Sequence, residues 1–524
     1  MIKKRQSSRV RLDANEKVPE SWTNEFIDDV RSLGDLDDKS AHLQKELLDK
    51  FVSKDTDPPQ TRASRAIRKW LAVERENEAT NVRLLITPEE YQILPRVQFG
   101  SFVEKAREFI QSIIGDVPDF DAFTGGFSGG ASTSRRRTES HPASKFLGRA
   151  DVTEEALPYW ESLWETYDGW RQFEDQVRVN LVSGNVMFTV PKNSEIDRVA
   201  CKEPDLNMFM QRGLGLEIAR KLRRVGINLN DQSRNRFLAR LGSEQGDLAT
   251  IDLSSASDSV SYELVSQLMP TIWFASLNAL RCKVTLIDGD EHRNEMFSSM
   301  GNGFTFELES LLFYALARTT AYFRGVSGVI SVYGDDIIVP TRLAQDLTWV
   351  LEYFGFSVNS EKSFWTGSFR ESCGGHFVNG RDVTPFYLRK PLNTLIDVIH
   401  AANSLRKWSE IEGFAINEIN VYSIWSKWRD RVPKAFWGGR EYSIKTQLVT
   451  PHLPRSILRP KKVKGTTGTG GYIHWLCLTD SRSWPGDLQT SEKTDEITLY
   501  RPAKAPRTVT WLPSLFIEEI GDAE

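Results

Sequence analysis

Cysteine is scarce in this chain and widely scattered. Cys201, Cys282, Cys373 and Cys477 stand far apart in 524 residues, which excludes a disulfide framework and leaves the reduced thiols expected of a cytosolic protein. Cys373 and His376 make half of a zinc spacing, and nothing nearby in sequence supplies the other half. Long apolar runs are lacking too. The longest, Leu311 to Phe323, is broken by Arg318 and two threonines, so no membrane span is expected. Met1-Ile2-Lys3-Lys4-Arg5 is basic but no apolar stretch follows it, which argues against a signal peptide. Positive net charge is absent, since 67 Lys and Arg face 71 Asp and Glu for a net of -4. A nucleic-acid partner would therefore need locally concentrated basic charge. A P-loop is missing as well: the glycine-rich Thr124 to Gly130 runs into Arg135-Arg136-Arg137, with no Gly-Lys-Ser/Thr at the required spacing. That segment reads either as a loop along a phosphate backbone or as a plain surface loop.

Local basic density does occur. Between Arg212 and Arg240 there are eight Arg or Lys residues against Glu217 and Asp231, with Arg220, Lys221, Arg223 and Arg224 on adjacent helical turns. Taken alone, such a run is a solvated helix face. Its position just upstream of an acidic constellation favours an electrostatic role.

That constellation centres on Ser331-Val332-Tyr333-Gly334-Asp335-Asp336-Ile337-Ile338-Val339. Apolar β-branched residues flank Gly-Asp, which predicts a hairpin with two carboxylates at its tip. Each carboxylate raises the cost of ionising the other, and a divalent cation would remove that cost. Leu248 to Asp252 predicts a short strand ending on a carboxylate, able to pair beside the hairpin and bring Asp252 next to Asp335. A helix is expected from near Ser259, with Ser257 or Asp258 close to its cap. Ser298 to Glu307 supplies small polar residues and glycines for close backbone approach, supported by a helix from about Thr305 to Phe323. Other expected elements are a helix over about 61–81, an apolar helix face from Phe102 to Ile114, and a strand Val186 to Pro191 leading to Lys192, Arg198 and Lys202. Amphipathic helices are expected over Leu392 to Trp408 and Ile416 to Trp428, with Trp408, Trp425 and Trp428 in a core. Arg459 to Gly470 reads as a basic loop and Glu518 to Glu524 as an acidic tail.

The ordered set Asp252-x5-Asp258, Gly301-Asn302-Gly303-Phe304-Thr305 and Tyr333-Gly334-Asp335-Asp336 resembles the palm motifs of RNA-dependent RNA polymerases. Val190 to Ser194, Asp252 to Ser259, Met300 to Leu311, Phe369 to Gly374 and Asp382 to Tyr387 narrow it. They resemble the levivirus-like replicase catalytic beta subunit of small positive-strand RNA bacteriophages, densely from about Gly125 to Lys390. The resemblance implies an α+β, right-hand polymerase fold with an antiparallel-sheet palm, helical fingers and a helical thumb. Its divisions would be an N-terminal region over 1–90 packing on thumb or fingers, fingers over 91–247, a palm over 248–390 with a fingers insertion at about 281–298, and thumb and C-terminal region over 391–524. It implies Asp252 and Asp335 as principal metal ligands, Asp336 as a secondary one, and Asp258 as the reader of the ribose 2'-hydroxyl. Lys192, Arg198 and Lys202 would hold the triphosphate, Ser299, Gly301, Asn302 and Thr305 would line the nucleotide, and Lys362 would protonate the leaving pyrophosphate. Glu309 stands where many viral polymerases carry Asn, and Asn302 is the substitute for its sugar contact. The cofactor would be Mg2+, with Mn2+ as a substitute. Implied partners are RNA template and product, ribonucleoside triphosphates, host elongation factors Tu and Ts and a small-subunit ribosomal RNA-binding protein, in the cytoplasm of an infected bacterium. Primer-independent initiation is implied as well.

Two rivals stand beside this reading. A reverse transcriptase would carry a bulky aromatic gate near Asp252 in place of the serine-rich run. A non-catalytic RNA-binding protein of polymerase fold would have no need for three intact carboxylates.

Overall fold

In the computed structural model, the described residues are 13–34, 37–52, 57–120, 123–166, 174–410, 417–438, 442–450, 458–464 and 496–502. The basic amino terminus, the 465–470 part of the expected loop, Cys477 and the acidic tail lie outside them. In chain order the elements that matter here begin with α1 (Ser21–Arg31), α2 (Asp38–Glu46), α3 (Pro59–Ile86) and α4 (Phe99–Ile114). Next come β1 (Asn185–Pro191), β2 (Asp197–Lys202), α5 (Asp205–Arg224), α6 (Ser233–Gln245) and β3 (Leu248–Ile251). They are followed by α7 (Tyr262–Leu268), β4 (Val284–Ile287), β5 (Asp290–Arg293), α8 (Thr305–Arg324), β6 (Ser331–Tyr333) and β7 (Asp336–Pro340). The last are β8 (Phe369–Ser372), β9 (Gly375–Val378), α9 (Leu395–Ser409) and α10 (Asn417–Arg431). Helices and mostly antiparallel sheets make this an α+β protein. No helix among the described residues is long and apolar enough to cross a membrane.

The chain divides into two compact units, one of residues 1–53 with 385–524 and one of residues 54–384. In the first, Phe26 and Val30 of α1, Leu43 of α2, Val398 and Leu405 of α9 and Trp425 and Trp428 of α10 share one apolar core. Trp408 joins them, so the three tryptophans are core residues. Helix α9 starts on a capping box between Thr394 and Asp397, which satisfies donors that a helix start leaves unpaired. Residues 459–464, expected as part of a loop, belong to a strand, Leu458–Lys464, paired with Glu496–Pro502. Its partner is too distant in sequence for local composition to reveal.

The second unit is built around α8. Leu308, Leu311, Leu312, Phe313, Ala315 and Leu316 are fully buried, and Gly325 ends the helix in the left-handed conformation at φ +61°. A helix apolar nearly all round belongs inside a core. Helix α4 packs beside it through Phe102, Ala106, Ile110 and Ile114, and stops at Gly115. Two sheets of this unit frame the site, one packed on this core and the other on α3. One has the order β6-β7-β3, wholly antiparallel. The other has the order β5-β4-β1-β2 and joins residues 284–293 to 185–202. All four residues of β3 are buried, Leu248, Ala249 and Ile251 as apolar residues and Thr250 as a buried hydroxyl. Helix α3, 28 residues long with Pro59 in its first turn, exceeds the expected span at both ends.

Candidate active site

The β6–β7 hairpin closes through Tyr333 opposite Asp336, leaving Gly334-Asp335 as a two-residue turn. Gly334 takes φ +58°, and a Cβ there would lie 2.4 Å from the Phe306 ring, so glycine is required twice over. Its N–H donates to Ser310 Oγ of α8 at 3.0 Å, which fixes the turn to the central helix. Strand β3 pairs with β7 in the register Ile251 opposite Ile337. The next residue outward on each strand is a carboxylate, so pairing brings Asp252 to the end of the sheet that carries Asp335 and Asp336. Asn359 Nδ2 donates to Asp252 Oδ2 at 3.0 Å and orients it.

Electrostatics separate the three. Burial, and then the charge of Asp335, push Asp252 up to about 6. Asp335 reaches solvent at the tip, yet the surrounding protein still raises its pKa, against the pull of Arg198, Lys192 and Lys362. Asp336 is raised chiefly by burial, and its Oδ1 is already engaged, accepting from the Cys373 N–H at 2.9 Å and the Ser372 hydroxyl at 3.1 Å. Both donors come from the β8–β9 hairpin, where Cys373 holds φ +50°. Among the described residues no three His, Cys, Asp or Glu side chains converge as a ready metal cluster. The charges of Asp335 and Asp336 both act on Asp252, and Asp336 is the one already engaged by the neighbouring hairpin. Asp252 and Asp335 suit a divalent cation chemically, since such an ion would offset the like charge of hard carboxylate oxygens.

Asp258 lies in a 3-10 turn, Ser257–Ser259, and the expected helix starts later, at Tyr262. The delay has a cause. The Val260 carbonyl accepts from the Phe297 N–H and Ser261 bridges to Met296, so both are held extended. Burial, then the Glu74 charge, push Asp258 up to about 7, and its Oδ1 has no hydrogen-bond partner among the described residues. A buried oxygen without a partner costs ~1–3 kcal/mol, which a ligand hydroxyl would recover. Its carbonyl accepts from Asn77 Nδ2 of α3 at 2.8 Å. Glu309 of α8 is the functional candidate whose role the sequence left open. It is 3% exposed, accepts from the Ser257 hydroxyl at 2.7 Å, and is pushed by burial up to about 8. With Ser310 holding the hairpin, adjacent residues of one helix grip the two turns that carry Asp258 and Asp335.

Lys192, Arg198 and Lys362 are exposed around this carboxylate group, and all three charges act on Asp335. Lys202 lies four residues beyond Arg198 on the same face of β2, over the Phe188 ring at 5.9 Å. The 298–305 loop turns its polar groups inward. Ser299 is bonded to Asn185 at 3.0 Å and Glu203 at 3.3 Å, Asn302 Oδ1 accepts from the Phe304 N–H, and Thr305 donates to the Ser299 carbonyl. Gly301, at φ +118°, lets the loop pass 2.2 Å from the Cys201 carbonyl, measured from where a Cβ would sit. The glycine-rich segment before Arg135 is pinned as well. The buried Lys145 donates to the Ser128 and Gly130 carbonyls at 2.9 and 2.7 Å, and Gly125 packs on Phe209 of α5. No periodicity singled out Lys145, which emerges only from its burial.

The chain is similar to known proteins over most of its length. A family model described as RNA replicase, beta-chain, matches residues 16–466. The RNA-directed RNA polymerase beta chain of Enterobacteria phage GA is 43% identical over 370 residues, covering 67% of this chain and 68% of that one. The beta chain from Escherichia phage MS2 is 39% identical over 427 residues, covering 80% and 76%. The RNA-directed RNA polymerase subunit beta of Escherichia virus Qbeta is 41% identical over 374 residues, covering 70% of this chain and 62% of that one. Among solved structures, the BmCPV RNA-dependent RNA polymerase at elongation state aligns with 77% of this chain and 37% of its own at 12% identity, with a TM-score of 0.38.

Proposed function

The chain belongs to the RNA replicase beta-chain family, and on that premise we propose that it is an RNA-directed RNA polymerase that replicates the genome of a positive-strand RNA phage. The observation that supports this reading is the β3–β7 pairing, which brings Asp252 to the end of the hairpin that carries Asp335 and Asp336, within the reach of exposed cations. In the layout that goes with it, 248–390 is the palm with a fingers insertion near 281–298, 91–247 the fingers and 391–524 the thumb with the C-terminal region.

The reaction joins the 3'-oxygen of the growing strand to the α-phosphorus of a ribonucleoside triphosphate, breaks the bond to the β-phosphate and releases pyrophosphate. Asp252 and Asp335 would hold Mg2+, or Mn2+ in its place, and two such ions would lower the pKa of the attacking hydroxyl and neutralise the leaving pyrophosphate. Asp336 would keep the tip in position through Ser372 and Cys373 and contribute to metal binding secondarily. Lys192, Arg198 and Lys202 bind the triphosphate, Lys362 gives its proton to the pyrophosphate, and the free Oδ1 of Asp258 takes the ribose 2'-hydroxyl. Ser299, Gly301, Asn302 and Thr305 act by shaping the loop under the nucleotide. Initiation without a primer, and assembly with elongation factors Tu and Ts and a ribosomal RNA-binding protein in the host cytoplasm, rest on the family resemblance.

Templated ribonucleotide incorporation with Mg2+, with and without the host factors, tests the reading. Asp335→Asn should abolish synthesis and leave template binding within about twofold of wild type. Asp336→Asn keeps an acceptor for Cys373 and Ser372 and should lose far less. Comparable synthesis by wild type and Asp335→Asn would overturn the assignment, and a preference of wild type for deoxyribonucleotides would favour a reverse transcriptase.

A further inference from the structure

Helix α3 reaches the site in two places. Near its start, Arg62 pairs with Asp197 at 3.1 Å and Arg65 donates to the Glu195 carbonyl at 3.0 Å, both at the end of the β1–β2 hairpin that carries Lys192. Further along, Asn77 donates to the Asp258 carbonyl. Lys69 lies between these anchors, one turn past Arg65, two turns past Arg62 and about two before Asn77, so it shares their side of the helix. Arg62, Ala66, Val73 and Asn77 on that side are buried, whereas Lys69 is exposed. Lys69 therefore stands exposed on the packed side of the helix, between its contact with the β1–β2 hairpin end and its contact with the Asp258 turn.

We propose that Lys69 is a binding residue for the triphosphate of the incoming ribonucleotide, supplied from α3 beside Lys192 and Arg198. This rests on the polymerase reading above. The charge of Lys69 acts on both Lys192 and Asp258, and although Lys192 reaches solvent, the surrounding protein together with Arg198, Lys69 and Lys362 lowers its pKa. Four cations gathered in one place repel each other in the free protein, and an entering polyanion turns that repulsion into attraction. Asp258, which is assigned no metal, repels phosphate, so the sugar lies toward Asp258 and the phosphate tail toward the lysines.

The test uses the full-length protein with its template and host factors. Lys69→Met keeps the aliphatic stem and removes the charge. It should raise KM about tenfold for all four ribonucleotides, as expected for one charge-assisted contact, with kcat within about threefold of wild type. KM for deoxyribonucleotides should rise by the same factor, leaving sugar selectivity unchanged. Binding of inorganic tripolyphosphate with Mg2+, measured by calorimetry, should weaken comparably, and Lys69→Arg should restore most of it. Template affinity and Tm should stay at wild-type values. KM and tripolyphosphate binding within twofold of wild type would overturn the proposal, as would weakened template binding in their place, which would assign Lys69 to the RNA backbone. Because wild type polymerises under the same conditions, such a failure leaves the polymerase reading intact. A wild type inactive on ribonucleotides would sink that reading instead.

Discussion

At the scale of single residues, Glu309 shows how position and chemistry part company. Its burial raises its pKa from an ordinary 4.5 to about 8, so the folded protein keeps a proton that the unfolded chain loses above pH 4.5. The sign follows: stability linked to that proton is complete below 4.5 and drains away as pH rises through 8. Glutamine does not titrate and can still accept from the Ser257 hydroxyl. With chelator present, Glu309→Gln should therefore match wild type in Tm near pH 5 and exceed it increasingly up to about pH 8, then level off. A Tm difference that stays flat from pH 5 to 9 would mean that Glu309 is ionised in the folded state. The sequence identified Glu309 only as a departure from a wider pattern. Its partner, Ser257, is 52 residues away, and no local signal pairs them.

At the scale of elements, what the sequence made legible was the local part of the site. The hairpin, the strand before Asp252 and the central helix follow from apolar patterning and one obligatory glycine, and the structure has all three. What stayed hidden depends on contacts between distant segments. The late start of α7 comes from Val260 and Ser261 being held by Phe297 and Met296. The approach of α3 comes from Arg62, a residue that sequence alone would leave on a solvated helix face. Arg62 and Asp197 each have only 6% of their side chain exposed. Removing one partner of a buried pair strands the other charge, so Arg62→Ala should cost ~3–5 kcal/mol in denaturant unfolding. Because the same contact positions Lys69, the variant should also raise KM for ribonucleotides. A loss below ~1 kcal/mol would show that apolar packing through Trp70 and Ala66 is enough to seat the helix.

For the whole molecule, a net charge of -4 means that long-range electrostatics do not draw RNA in, and affinity must come from short-range contacts within about a Debye length. The basic run that sequence singled out is not uniform in this respect. Arg220 stands 3.7 Å from Asp119 and Lys221 is paired with Glu217 at 3.2 Å, so both are partly neutralised within the fold. Arg223 and Arg224, at the exposed end of α5, are the residues placed to meet backbone phosphates. Each contact with single-stranded RNA releases condensed counterions and adds ~0.7 to the slope of log affinity against log salt. Template binding should therefore weaken steeply with salt in wild type. Arg223→Ala and Arg224→Ala should each reduce affinity without regard to template sequence and flatten the slope by ~0.7, whereas Arg220→Ala should change it less. If the slope stays at the wild-type value in all three variants, the run is a solvated helix face, and the RNA track must lie over other cations, with Arg135, Arg136 and Arg137 next in line.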